Sequence, residues 1–237
     1  MHKDTCVVVP VYNEASVVAA VVRELAGYFP HIICVNDGST DASAQVVAKT
    51  TASLIEHPHN KGQGAALRTG IEAALRNRKI KYIVTFDADG QHSAADADRM
   101  VHYMKQHTDT DVVLGSRFLG EAEDIGAIKL AALKAAIVFS NLISGLKLTD
   151  THNGLRVFNR RFAENLHVKS NGFAHASEII YKITRHEYIY KELPVTISYT
   201  DYSKGKRAVS AQAYQVLKEM LSSREMLKHR LAKSWRI

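Results

Sequence analysis

Residues 85–92 read T-F-D-A-D-G-Q-H and place two carboxylates, Asp87 and Asp89, one residue apart at the end of the apolar run Tyr82–Phe86. At a strand end a turn can converge two carboxylates on one hard cation, and Mg²⁺ or Mn²⁺ takes oxygen ligands while keeping substrate phosphates in its shell. Gln91 offers a further carbonyl oxygen. The same residues also make a capped turn into the next helix, and the D-x-D spacing alone does not separate the two readings. Three other polar groups follow apolar runs in the same way: Asn13-Glu14, Asn36-Asp37-Gly38-Ser39 and Ser116-Arg117. Asp37 is a candidate acceptor of hydrogen bonds from a base or ribose, against a turn and helix cap. In Asn60-Lys61-Gly62-Gln63-Gly64 the glycines permit close backbone approach, and the helix N-terminus that follows favours an anion. The spacing is neither a Walker A loop nor a dinucleotide fingerprint.

These groups need a scaffold that gathers them, and the first half supplies one. Short β-rich runs at 5–9, 32–35, 53–56, 82–86 and 111–115 alternate with helical patterns at 14–26, 41–49, 64–76 and 94–106. Such alternation predicts right-handed βαβ units and an α/β fold with a mostly parallel sheet flanked by helices. In that architecture ligands bind beyond the carboxyl ends of the strands, where all the polar groups above fall. After about residue 119 the pattern changes. A helix is expected over 125–148, a turn over 149–156, strands at 157–158 and 193–199, a helix over 177–185, and a basic helix from Ala211 onwards. The expected organisation is a first part (1–118) carrying the alternating strands and helices, a second part of the same domain (119–210) and a C-terminal amphipathic helix (211–237).

The totals set limits. The 237 residues are 46% hydrophobic and 23% charged, ordinary for a globular protein that buries a core without disulfides. Cys6 and Cys34 sit in strand-like runs and read as buried thiols. No zinc spacing is present, and the twelve histidines are scattered. The first ten residues carry no secretory h-region, and no window reaches the roughly 18 apolar residues of a membrane span, so a cytoplasmic protein is expected. The formal charge of +7 and pI near 9.3 point to an anionic partner. Without an aromatic-rich recognition motif, nucleic acid is the weakest of these.

Taken together the pieces resemble glycosyltransferase family 2, with its GT-A nucleotide-sugar-binding fold. The matching stretches are V-V-V-P-V-Y-N-E (7–14), V-N-D-G-S-T-D (35–41), N-K-G-Q-G-A-A-L-R-T-G (60–70), F-D-A-D-G-Q-H (86–92) and G-S-R-F (115–118), in matching order. Further on, T-D-T-H-N-G-L-R-V-F (149–158), G-F-A-H-A-S-E-I-I (172–180), E-L-P-V-T (192–196) and Y-S-K-G-K (202–206) are similar to the dolichol-phosphate mannosyltransferase branch and its bacterial polyprenyl-phosphate relatives. The chain departs from that branch at Asn153, around 199–207, and in lacking transmembrane helices.

The resemblance implies roles: residues 1–118 would be the nucleotide-sugar-binding part and 119–210 the acceptor-side part of the same GT-A domain. Asp37 would bind the nucleoside, and Pro10, Tyr12 and Glu14 would shape the base pocket. Lys61, Gly62, Asp87 and Ala88 would complete the donor site, and Asp89, Gln91 and Asp87 would hold Mg²⁺ or Mn²⁺. Arg117, Arg156 and Lys204 would face phosphates of donor or acceptor. The donor would be a UDP- or GDP-linked sugar, displaced with inversion. The acceptor is either a lipid phosphate, which needs cations, or a glycan hydroxyl, which needs a base such as Asp150 or Glu178. His175 reads as structural. In the tail, Leu217, Met220, Leu221, Leu227, Leu231 and Trp235 recur near helical spacing beside Lys218, Arg224, Lys228, Arg230, Lys233 and Arg236. Such a helix can lie on anionic lipid or pack on protein, which leaves a peripheral place at the inner membrane face, a small membrane-protein partner or a homo-oligomer as expectations. The rival from another class is a nucleotide-binding subunit without turnover.

Overall fold

The computed structural model describes residues 1–120, 127–151, 153–172 and 174–198. Seven strands form one sheet: β1 (Thr5–Val11), β2 (His31–Asn36), β3 (Ser53–Glu56), β4 (Tyr82–Thr85), β5 (Val112–Ser116), β6 (Arg156–Asn159) and β7 (Tyr190–Pro194). Their order is β3-β2-β1-β4-β6-β5-β7, and all pairings are parallel except the two made by β6. The helices are α1 (Val18–Ala26), α2 (Ser43–Val47), α3 (Gln63–Arg76), α4 (Ala94–Gln106), α5 (Ala127–Ser144), α6 (Arg160–Asn165) and α7 (His175–Arg185).

Strand β1 shows why the sheet is covered on both faces. Val7, Val8, Val9 and Val11 are all fully buried, as the continuous apolar run of a central parallel strand requires. Successive side chains alternate between two cores. Val7, Val9 and Val11 join α1 and α4, whereas Cys6 and Val8 join α3, α6 and α7. Burial pushes both thiols, Cys6 and Cys34, up to about 12, so neither is a reactive thiolate near neutral pH.

The packing of α3 on β1 depends on Gly70. A Cβ there would lie 2.2 Å from Val8 Cγ1 and 3.2 Å from Val35 Cγ2. Gly70→Ala gains about 1 kcal/mol of helix propensity but overpacks a closed core at a cost of roughly 1–3 kcal/mol. The expected net result is a loss of about 1 kcal/mol, read as a melting temperature lower by roughly 2–4 °C.

Several elements depart from the sequence expectation. Helix α1 starts at Val18 rather than Glu14, because the Glu14 carbonyl accepts from Val17 N and Val18 N in a tight entry turn. Helix α6 was not anticipated; it is one short segment capped by Asn159, whose side chain accepts from Phe162 N at 2.8 Å. Strand β7 begins at Tyr190 because its partner β5 sets the register, Val112 opposite Tyr190 through Ser116 opposite Pro194. Beyond it, residues 195–198 cross to the Asp89 loop: Ser198 N donates to Gln91 O at 3.0 Å, and Ile197 bridges His92.

The departure that matters most is β6. It runs antiparallel between β4 and β5, so its first residue, Arg156, lies opposite Thr85, the last residue of β4, and Leu114 in the middle of β5. Reversal of this one strand carries residues 150–156 to the edge where β4 delivers Asp87. No helix among the described residues is long and apolar enough to cross a membrane. Lys204 and the basic helix expected from Ala211 lie outside the described residues.

Candidate active site

The site is built along the carboxyl ends of the sheet, beginning with two loops tied to each other. After β1 the backbone turns at Asn13, which adopts a positive φ of 55°. Its N–H donates to Ser39 Oγ at 3.0 Å, and its Oδ1 accepts from Thr40 N at 2.8 Å. Glu14 N donates to Ser43 Oγ at 2.8 Å, and Asp41 accepts from Ala15 N and Ser43 N. The candidate base-pocket residues thus sit on a braced floor: Pro10 is half-buried, Glu14 buried, and Tyr12 44% exposed and available to a planar ligand.

Asp37 is 2% exposed, and both its oxygens are engaged. Oδ1 accepts from Lys61 N at 3.0 Å and contacts His57 Nδ1 at 2.6 Å; Oδ2 accepts from Gly62 N at 2.7 Å. His57 in turn contacts Thr69 Oγ1 at 3.0 Å on α3. The buried carboxylate therefore fastens the glycine loop to the end of β2. The anion seat expected at the start of α3 is occupied by the chain itself. Gly64 N and Ala65 N donate to the Asn171 carbonyl at 2.8 and 3.2 Å, satisfying two of the helix's orphan donors. A Cβ at Gly62 would lie 2.3 Å from that carbonyl oxygen, so its glycine permits approach of a protein loop rather than of a phosphate.

At the end of β4, Thr85 Oγ1 donates to Gly154 O at 2.7 Å, locking the turn before β6 against the strand. Phe86 and Ala88 point into the core, whereas Asp87 and Asp89 are half-buried on the other side of the chain. Gly90 makes the turn at φ 73°, and Gln91 N donates to Asp89 Oδ1 at 3.2 Å. Asp87 is held in place by Gln63 Nε2, which donates to Oδ1 at 2.9 Å, and by His92 Nε2 at 3.1 Å from Oδ2. A Cβ at position 154 would fall 2.1 Å from Asp87 Oδ2, so a side chain there would displace the Asp87 carboxylate.

The end of β5 and the turn before β6 add the cations. Arg117 Nε donates to Asp150 Oδ2 at 2.6 Å, and Arg117 N to the same oxygen at 3.2 Å; the Asp150 side chain is 1% exposed. Glu192 on β7 holds the backbone there, accepting from Thr149 N at 2.9 Å and Asp150 N at 3.0 Å. Arg156 is 4% exposed. Burial lowers its pKa to about 10 against the opposing pull of Asp87 and then Asp150, so it remains a cation at neutral pH. Among the described residues its Nη1 has no hydrogen-bond partner, nor have the buried Asn153 Nδ2 and His92 Nδ1. Three buried polar atoms next to one carboxylate turn are costly without a ligand to meet them.

Of the residues singled out from sequence, Asp87, Asp89, Gln91, Arg117, Asp150 and Arg156 thus gather at adjoining strand ends. Glu178 does not project from that cluster: it binds the loop at 169–170, accepting from Lys169 N and Ser170 N at 2.7 and 2.9 Å. His175 is buried, with Nδ1 2.8 Å from Gly172 O, as a structural histidine would be. Gln63, His57, His92, Glu192 and Ser43 were missed. Gln63 and His92 stand inside the quoted motifs, but their partners are distant in sequence and no local spacing announces them.

The donor set fits a hard divalent cation: two carboxylates and an amide oxygen on one glycine turn, with no thiolate or neutral imidazole preferred. Elsewhere among the described residues, His2, Asp98 and His102 also have ligand-type spacing. His2 precedes β1 and the other two lie on α4, away from the strands' carboxyl ends, and His2 is already satisfied by Asp98 at 2.7 Å and Lys105 at 3.0 Å.

Comparison with known proteins agrees with this geometry. Residues 6–166 match the family model described as glycosyl transferase family 2. An uncharacterized protein of Methanocaldococcus jannaschii is 31% identical over 221 residues, covering 91% of this chain and 90% of its own. The UDP-N-acetylglucosamine–dolichyl-phosphate N-acetylglucosaminyltransferase of Methanococcus voltae is 26% identical, covering 84% of this chain and 87% of its own. Among solved structures, glucosyl-3-phosphoglycerate synthase of Mycobacterium tuberculosis, in complex with Mn²⁺, UDP-glucose and phosphoglyceric acid, superposes with a TM-score of 0.71 at 15% identity, over 93% of this chain and 79% of that one. With a GT-A fold and a family match spanning the strand-end motifs, the chain belongs to glycosyltransferase family 2, near its polyprenyl-phosphate branch.

Proposed function

We propose that the protein transfers a sugar from a nucleoside-diphosphate sugar to polyprenyl phosphate, with inversion, at the cytoplasmic face of a membrane. The observation that carries this reading is the buried Arg156, with an unmet N–H, set beside the Asp87 turn and the Arg117–Asp150 pair. A buried guanidinium with one N–H left over, beside two carboxylates, suits a phosphate oxygen. The names of the similar transferases support the acceptor class.

Asp37 braces the glycine loop under the nucleoside, while Pro10, Tyr12 and Glu14 line the base pocket. Asp87, Asp89 and Gln91 would hold Mg²⁺ or Mn²⁺, which when bound neutralises charge on the departing diphosphate. Gln63 and His92 keep Asp87 at the angle this requires. Arg156 and Arg117 orient the acceptor phosphate towards the anomeric carbon. A phosphomonoester is largely ionised near neutral pH, so it attacks without a protein base. A sugar hydroxyl needs one. Asp150 is paired to Arg117 in a closed environment and Glu178 is bound by its own loop, so neither carboxylate favours that alternative. Lys204 and the amphipathic tail would add a cation and a lipid contact. Exposed Val138 and Leu142 on α5 give a further apolar surface facing outwards.

The test is release of nucleoside diphosphate across a panel of UDP- and GDP-sugars, with and without polyprenyl phosphate. The expected result is release with at least one donor that depends on the lipid phosphate. Nucleotide binding with no release under any combination would instead establish a subunit without turnover.

A further inference from the structure

The sequence presents Glu178 as a candidate base, and a base needs an oxygen within reach of the acceptor. Both of its oxygens are committed elsewhere. Oε1 accepts from Ser170 N at 2.9 Å and from Ser170 Oγ at 2.5 Å, and Oε2 accepts from Lys169 N at 2.7 Å. The carboxylate therefore shapes residues 168–172 into a strap. That strap lies against the start of α3. Its Asn171 carbonyl receives Gly64 N and Ala65 N, and Arg68 returns from α3 to Val168 O at 2.8 Å and Asn171 Oδ1 at 3.2 Å.

The contact is close enough to exclude any side chain. A Cβ at Gly64 would stand 2.1 Å from Ser170 O, and one at Gly62 2.3 Å from Asn171 O. From the opposite side, Asp37 holds Lys61 N and Gly62 N. Residues 61–65 are thus clamped between the end of β2 and the strap. Gln63, in the middle of the clamp, donates to Asp87 Oδ1.

We propose that Glu178 is a positioning residue for the donor site. It acts through the 168–172 strap on the Gly62–Ala65 turn, and through Gln63 on the angle of Asp87, so the acceptor-side part of the chain sets donor affinity. The inference rests on the proposed donor-binding role of Asp37 and Asp87. Charge-assisted hydrogen bonds to a carboxylate are stronger than neutral ones, and alanine at 178 removes all three at once. Glutamine keeps one acceptor oxygen for Ser170 and gives up the bond to Lys169 N.

The experiment measures binding of UDP and of GDP, each with Mn²⁺, by calorimetry, together with kcat and KM for the active donor. The proteins are wild type, Glu178→Ala, Glu178→Gln and Gly64→Ala. Glu178→Ala is expected to weaken nucleotide binding about tenfold and to raise donor KM in parallel, with kcat changed by less than about threefold. Glu178→Gln should lose less. Gly64→Ala pushes the strap away without touching Glu178 and should reproduce the alanine result. A loss of roughly a thousandfold in kcat for Glu178→Gln with unchanged nucleotide binding would make Glu178 a base and overturn the inference. So would wild-type nucleotide affinity in folded Glu178→Gln and Gly64→Ala, which decide the matter should Glu178→Ala not fold. If the wild type binds neither nucleotide, the donor reading itself fails, and the inference with it.

Discussion

Asp89→Ala is expected to reduce sugar transfer by about a thousandfold or more while the fold survives. Metal stabilisation of a leaving group contributes several kcal/mol, and each 1.36 kcal/mol is tenfold in rate. The turn contact of this side chain is small by comparison: Asp89 is half-buried, and the bond it accepts from Gln91 N at 3.2 Å makes a net contribution of about 0.5–1.5 kcal/mol. Asp89→Asn separates the two roles. It keeps an acceptor for Gln91 N but loses the charge, so it should melt like the wild type and still be inactive. Transfer by Asp89→Asn within tenfold of wild type would show that the carboxylate only caps its turn. Chelation should likewise abolish wild-type turnover, with Mg²⁺ or Mn²⁺ restoring it.

Arg156→Met is expected to cost about a hundredfold in turnover or more, out of proportion to its effect on stability. Breaking a buried charge cluster from one side usually costs roughly 3–5 kcal/mol. Two features soften that here. Asp150 keeps its pair with Arg117, and Asp87 keeps Gln63 and His92. The substitution also removes an N–H that has no partner among the described residues, which relieves a burial cost. A destabilisation of about 2 kcal/mol is therefore expected. Turnover responds differently, because a preorganised donor aimed at a charged oxygen contributes about a hundred- to a thousandfold. Turnover of Arg156→Met within tenfold of wild type, in folded protein, would place Arg156 in packing alone. Arg156→Lys keeps a charge but loses the planar fork and should fall between the two.

The parts of the fold legible in the sequence are those whose signal is local. Helix α4 matches its expected span because Ser93 caps it and Ala94, Ala97, Met100, Val101 and Met104 repeat at helical spacing. The buried strands β1 and β4 announce themselves as apolar runs ending in polar turns. The first half of the site follows, because each carboxylate lies just after its own strand. The geometry around Arg117 and residues 149–156 was less visible because it depends on contacts far apart along the chain. A four-residue strand such as β6 carries no mark of its direction, yet its reversal brings Arg156 beside β4. The Arg117–Asp150 pair joins residues 33 positions apart, and Gln63 reaches Asp87 across 24. Glu178 reads from sequence as a candidate base, or as a cap of its own helix, because nothing in that helix reveals the strap that binds it. The start of α3 was read as an anion seat for the same reason: the Asn171 carbonyl that fills it comes from more than a hundred residues later.

Transfer of a sugar to a lipid phosphate is read directly as glycolipid formation. Purified protein is incubated with Mn²⁺, polyprenyl phosphate and nucleotide sugars labelled in the sugar, and the label entering the organic phase is measured. The expected result is an acid-labile labelled glycolipid with at least one donor, absent without polyprenyl phosphate and absent for Asp89→Ala. Label that never enters the lipid phase, while the same protein glycosylates a sugar hydroxyl, would make the acceptor a glycan rather than a lipid phosphate.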